Sequence, residues 1–170
     1  RRGDAGTRSL NFALQAALNP PKPGKQERRF GELIFREGDR VMQTRNDYDV
    51  VWQKEDGTAG TGIFNGDVGK IAKIDPSGEL LEIVFDDRTA TYTSDMLAEL
   101  DMAYAMTVHK AQGSEYRGVV FVGAPCAPSL MVRGVLYTAI TRARELLVIV
   151  GDDSAVNKMA ENDRRSRRYS

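Results

Sequence analysis

The feature that most restricts this chain is a change in the rhythm of its apolar residues. Between positions 69 and 93 they come in short runs, 69–74, 80–85 and 89–93, broken by Pro76-Ser77-Gly78 and Asp86-Asp87. Short β-branched and aromatic runs bounded by turn formers are the pattern of a small antiparallel barrel. From Met102 onward the rhythm predicts a short strand to Ala105, a helix from about Thr107, a continuous apolar strand at 119–122, a helix around 131–142 and a strand at 146–150. Continuous apolar strands alternating with helices belong to a parallel sheet covered on both faces, because each parallel connection must cross over a face of the sheet. The barrel is therefore expected as an insertion at 68–97 within an α/β domain made of 1–67 and 98–170.

Ahead of the barrel, Leu10, Ala13, Leu14, Ala17 and Leu18 recur at helical spacing, and Asn19-Pro20-Pro21 ends the pattern. The spacing predicts a helix over 7–18, an exposed loop over 20–29 and a strand near 40–44. The Asp, Gly and Thr of 47–61, with the turn signal Asp56-Gly57, predict a long loop or a mobile hairpin. A length of 170 residues allows one sizeable core, or a core with a small inserted module. No apolar run approaches the ~20 residues of a membrane span. The opening Arg1-Arg2-Gly3-Asp4 has no initiator Met and no apolar segment after it, so the expectation is an internal piece of a soluble, cytoplasmic protein.

Charge and cysteine content exclude some chemistry. Twenty-four basic residues balance twenty-four acidic ones, which argues against strong autonomous binding of nucleic acid, since that affinity comes mainly from phosphate neutralisation. The cluster Arg164, Arg165, Arg167 and Arg168 reads as a solvated tail. Cys126, the lone cysteine, is expected to be an inert packed thiol, and one Cys with one His falls short of a zinc site.

Two stretches carry chemistry. In the first, Thr107, His109, Lys110, Gln112 and Ser114 gather within eight residues where a strand gives way to a helix. Helix starts at strand ends present unpaired N–H groups, so a phosphate of DNA or nucleotide is a natural guest; alternatively, Thr107 only caps the helix and His109 is only exposed. In the second, Val132, Leu136, Ala139, Ile140 and Ala143 form an apolar stripe, and Arg142 stands on an adjoining face beside Thr138. A guanidinium there could stabilise charge on a transferring phosphoryl group, or simply answer the dipole of a helix end. Val84, Phe85 and Tyr92 are open to two readings, barrel core or base-stacking surface.

Taken together, TVHKAQGSE at 107–115 and YTAITRAR at 137–144 resemble motifs V and VI of superfamily 1 helicases, in order and at a suitable separation. With LNFALQAALNP at 10–20, GDRVMQTRNDYD at 38–49 and FNGDVGKI at 64–71, most of the chain is similar to the RecD branch of that superfamily. The resemblance implies a RecA-like parallel sheet flanked by helices, here without its phosphate-binding loop, carrying an inserted SH3-like antiparallel β-barrel that looks over the path of single-stranded DNA. It further implies that Arg142 is the arginine finger of motif VI. Gly113 and Glu115 are implied to face the nucleotide, Thr107, His109 and Lys110 to contact DNA, and Arg45 to act as a second phosphate-sensing arginine.

The chain departs from a complete motor in one respect: it contains no G-x-x-x-x-G-K-[ST] loop and no paired-acidic metal site after a strand. In the family, ATP and Mg2+ are held mainly by a preceding motor domain, so the resemblance implies half of an ATP-dependent helicase or translocase, of 5′ to 3′ polarity, without ATPase activity of its own. Implied partners are single-stranded DNA, that preceding domain and nuclease subunits of repair or recombination. The alternative is a non-catalytic module that binds single-stranded DNA or protein.

Overall fold

A computed structural model describes residues 6–124 and 126–163. The arginines at 164–168 and the residues before 6 lie outside the described residues. The chain divides between Ala105 and Met106 into two compact units.

The first unit opens with helix α1 (Thr7–Leu18) and a hairpin of β1 (Glu27–Phe30) with β2 (Leu33–Arg36), whose first strand begins inside the 20–29 stretch expected to be loop. There follow β3 (Arg40–Gln43), β4 (Asp47–Gln53), β5 (Ala59–Ile63), β6 (Val68–Ile74), β7 (Leu80–Phe85), β8 (Arg88–Thr93), a 3-10 turn (Asp95–Glu99) and β9 (Leu100–Met102). These seven strands form one antiparallel sheet in the order β5-β4-β8-β7-β6-β3-β9. The expected antiparallel β module is thus present as a sheet that ends in edge strands β5 and β9, and it takes in strands on both sides of 68–97. Period-two alternation builds its core: Leu81, Ile83 and Phe85 of β7 face inward with Ala90 and Tyr92 of β8, joined by Phe35, Val41, Val50, Ile63 and Ile71. In β6 the burial pattern slips after Ile71, where a bulge lets Ile74 return to the core. Phe85 and Tyr92 are core, with ring centroids 6.0 Å apart, and so are not a stacking surface.

The 47–61 stretch takes the hairpin form, one of the two expected of it: β4 and β5 pair across a turn in which Gly57 has φ +86° and donates to the Lys54 carbonyl at 3.0 Å. Helix α1 has the expected bounds, but the face it buries is rotated from the row of leucines to the adjoining row of amides, with Leu10 and Leu14 half-buried. Its buried face is Asn11, Gln15 and the C-cap Asn19, while Leu18 is 68% exposed. The amides are buried because each finds partners. Asn11 donates to the Ala105 carbonyl and accepts from the Ala105 N–H, both at 2.8 Å. Gln15 and Asn19 each donate at 2.6 Å to Asp39, which is fully buried.

The second unit holds a parallel pair, β10 (Tyr116–Gly123) and β11 (Ala143–Gly151), with α2 (Arg133–Ile140) between them in sequence and α3 (Asp153–Glu161) after. Helices α2 and α3 pack on one face through Leu136, Ala139, Val156 and Met159 against Phe121 and Leu147. On the other face Val120, Val122, Leu146, Val148 and Val150 are exposed. Gly123 and Gly151 approach so closely that a Cβ on Gly151 would lie 2.3 Å from the Gly123 carbonyl oxygen. Cys126 is an exposed thiol, contrary to expectation, in the irregular stretch after β10 where the residues on either side, Ala124 and Ala127, belong to no helix or strand that could bury it. The helix expected from Thr107 is instead a run of turns over 108–113.

Candidate functional site

The 107–115 segment is shaped by short-range bonds rather than by a regular helix. The Thr107 hydroxyl accepts from the Lys110 N–H at 3.3 Å, and the Thr107 carbonyl accepts from Ala111 N–H at 3.1 Å. The His109 carbonyl accepts from Gln112 N–H at 3.3 Å, and that of Ala111 from Ser114 N–H at 3.2 Å. Thr107 therefore does cap this turn, as one reading of the sequence held. Val108 and Ala111 point inward, which leaves Thr107, His109, Gln112 and Gly113 exposed on one stretch of surface, with Lys110 half-buried. Gly113 makes the last bend at φ +91°, a conformation that costs a residue with a Cβ about 1–2 kcal/mol.

Helix α2 brings Arg142 to the end of this segment. The apolar stripe buries Val132, Leu136 and Ala139, and so fixes the helix against β10 and β11, while Ile140 is 40% exposed. One turn beyond the helix, the half-buried Arg142 uses every nitrogen of its guanidinium. Nε donates to the Thr138 carbonyl at 3.2 Å, Nη1 to the Ser114 carbonyl at 2.9 Å and Nη2 to the Thr141 hydroxyl at 3.3 Å. The backbone adds a fourth tie, since the Arg142 carbonyl accepts from Tyr116 N–H at 2.8 Å. Ser114 and Thr141 were not singled out from the sequence as partners of Arg142. The i, i+4 spacing of Thr138 and Arg142 was visible, but a contact with Ser114 joins residues 28 apart and has no local signature. Glu115 is exposed and lies 3.8 Å from Arg144 Nε, a loose surface pair. Gly113, Glu115 and Arg142 thus come together at one end of the segment, with Thr107, His109 and Lys110 toward the other.

Arg45 belongs to the first unit. Its Nη2 donates at 2.7 Å to Glu99, whose second oxygen accepts from the buried Gln43 amide at 2.7 Å. Gln43 in turn accepts from the Tyr92 hydroxyl at 3.0 Å. Burial, and then the charge of Glu99, push the Tyr92 hydroxyl pKa far above its ordinary value, so it stays a donor and the relay keeps its polarity. Arg45 is held at one nitrogen, and its side chain remains 64% exposed.

As a place for ATP, the second unit offers a fixed cation, an exposed carboxylate and a glycine bend. Among the described residues no cluster of three or more His, Cys, Asp or Glu could hold a metal ion. A fixed guanidinium and a glycine bend are suited by charge and by shape to meet a phosphate group.

Two family models match the chain, one over much of each compact unit. Residues 10–85 match the family described as the ATP-dependent RecD-like DNA helicase SH3 domain, and residues 102–150 match the UvrD-like helicase C-terminal domain. The ATP-dependent RecD2 DNA helicase of Deinococcus radiodurans is 36% identical over 167 residues, which is 98% of this chain and 21% of that protein. The RecBCD enzyme subunit RecD of Mycolicibacterium smegmatis is 29% identical over 164 residues, 95% of this chain and 26% of that protein. The chain therefore spans about a fifth to a quarter of the length of these relatives. The crystal structure of Bacteroides Pif1 bound to ssDNA is similar in fold, with a TM-score of 0.52 at 16% identity over 91% of this chain and 42% of that one.

Proposed function

Since the chain belongs to the RecD-like branch of the superfamily 1 DNA helicases, we propose that it supplies the second motor domain of an ATP-dependent DNA helicase or translocase, with Arg142 as its arginine finger. The observation that carries this reading is the 2.9 Å bond from Arg142 Nη1 to the Ser114 carbonyl, which joins the two motif-bearing segments at a single place. Bound Mg-ATP supplies the phosphoanhydride bond whose cleavage drives the motor. The part of this chain is to offer a guanidinium, always charged and with a fork of donors, to the charge that builds on the transferring phosphoryl group. Gly113 lets the backbone approach the nucleotide, and Glu115 takes the ribose or phosphate side. Arg45 is the second arginine to sense phosphate, and its bond to Glu99 holds its orientation while leaving N–H groups to donate.

Thr107, His109 and Lys110 contact single-stranded DNA, with translocation 5′ to 3′. ATP and Mg2+ are held mainly by the preceding motor domain of the full-length, cytoplasmic protein, and nuclease subunits of repair or recombination are its candidate partners. The 170-residue chain alone does not turn over ATP. In the full-length protein Arg142→Ala lowers ATP turnover by ~10³-fold, the usual effect of removing an arginine finger, while the protein stays folded. Turnover within tenfold of the parent, or measurable hydrolysis by the isolated chain, contradicts this assignment. The balanced charge speaks against an autonomous DNA-binding module, which would bind single strands tightly and with strong salt dependence in isolation.

A further inference from the structure

Arg142 is bonded as if it had a second task. Nε and Nη2 are taken up by α2 and the residue after it, at the Thr138 carbonyl and the Thr141 hydroxyl, which orients the guanidinium plane. The remaining nitrogen, Nη1, reaches across to the Ser114 carbonyl. Ser114 N–H is itself bonded to the Ala111 carbonyl, and Ala111 N–H to that of Thr107. An unbroken series of short bonds therefore runs from Arg142 to the residue that caps the exposed turn. Gly113, at φ +91° and with no atom near the place a Cβ would take, is the joint in that series at which the backbone can swing.

The geometry points to Arg142 as a positioning residue for the DNA-contacting segment, so that one guanidinium serves the DNA and the phosphoryl group by turns. This rests on the function proposed above. Both bonds have the charged guanidinium as donor, but Ser114 offers a neutral carbonyl and a phosphoryl oxygen a charged one, so only the phosphate adds an ion pair and a match to the fork of donors. Nη1 and Nη2 each keep a second N–H, and an arriving γ-phosphate that takes this pair in bidentate fashion turns the guanidinium toward itself, which draws Nη1 from Ser114, frees the turn at Gly113 and weakens the set of Thr107, His109 and Lys110. By linkage, DNA held on the ordered turn opposes that withdrawal by the same free energy.

The test is the affinity of the full-length protein for a labelled oligothymidylate, read by fluorescence anisotropy without nucleotide and with a non-hydrolysable ATP analogue. Without nucleotide, Arg142→Ala should weaken binding about tenfold, the equivalent of one lost bond, and the analogue should weaken the parent by a similar factor but Arg142→Ala no further. Thr141→Val, which removes the Nη2 acceptor and alters no charge, should weaken binding severalfold. Arg142→Lys should resemble Arg142→Ala, because one ammonium cannot span three acceptors set around a plane. The dependence of affinity on salt should keep its slope in all variants, whereas loss of a direct phosphate contact would reduce the slope by about one.

Nucleotide-free affinity unchanged in Arg142→Ala and Thr141→Val, or restored by lysine, overturns the positioning role. If ATP turnover is still lost in Arg142→Ala, the arginine finger stands without it. Weakened DNA binding with turnover within tenfold of the parent gives the reverse result, keeping the positioning role and removing the finger.

Discussion

Asp39 carries more of the first unit than any other polar residue. It is fully buried and accepts four bonds: Oδ1 from the Asn19 amide at 2.6 Å and the Tyr104 hydroxyl at 2.8 Å, Oδ2 from the Gln15 amide at 2.6 Å and the Arg36 N–H at 2.8 Å. A carboxylate can be buried without a cation only when donors fill its lone pairs, and these four do so. The same environment pushes the Tyr104 hydroxyl up to about 12, through burial first and then its bond to Asp39, so it remains a donor across the physiological range. Asp39→Asn keeps the shape but turns an NH2 toward groups that are themselves donors. It should cost about 3 kcal/mol in urea denaturation of the chain, the scale of losing bonds to a charged acceptor and leaving donors unpaired. A loss under ~1 kcal/mol would mean that the cluster rearranges and that the carboxylate is not its centre.

The secondary-structure elements show which local signals were legible and which were not. Strands β7 and β8 could be read within one residue, because period-two alternation and turn residues act over a few positions and coincide there. The bounds of α1 were legible for the same reason, whereas its buried face was not. Apolar spacing pointed to Leu10, Leu14 and Leu18, yet the amides Asn11, Gln15 and Asn19 recur at the same interval of four and are the residues that turn inward. Their partners, Asp39 and the backbone of Ala105, are distant in sequence, and local periodicity carries no information about such bonds. The consequence is an inverted order of sensitivity. Asn11→Leu adds apolar surface to the helix but strips the Ala105 N–H and carbonyl of their partners, and should destabilise the chain by about 2 kcal/mol. Leu18→Glu, on the exposed face, should change stability by under ~0.5 kcal/mol. If chemical denaturation ranks Leu18→Glu as the more damaging, α1 packs through its leucines after all. The candidate site divides along the same line: Thr107, His109 and Arg142 stood out by residue type and motif, but the bond from Arg142 to Ser114 depends on how α2 returns to β10, which spacing does not encode.

At the scale of the whole molecule, the second unit has one sheet face that its own described helices do not cover. The register sets Val120 beside Val148 and Val122 beside Val150, with Leu146 opposite Gly118, so five aliphatic side chains lie on one side of β10 and β11. Their exposures run from 38% at Val122 to 65% at Val120. A parallel sheet is stable with both faces buried, and a contiguous aliphatic face left in water drives association at roughly 25 cal/mol for each Å² that can be hidden. The parallel pairing was legible from the continuous apolar runs, but which of their faces the neighbouring helices would occupy was not, since such a run is apolar on both sides. The 170-residue chain should therefore self-associate in a concentration-dependent way, the more so because its basic and acidic residues balance and copies repel weakly at neutral pH. Leu146→Lys combined with Val150→Lys places two charges on the open face, on side chains that are 60% and 51% exposed, and should shift the chain to monomer while leaving its melting temperature within a few degrees. The equivalent pair of substitutions at Leu136 of α2 and Met159 of α3, which are buried on the covered side, should instead unfold the unit. Sedimentation velocity over a range of loading concentrations separates the cases. A parent chain that is already monomeric throughout would show that this face does not behave as open aliphatic surface in solution.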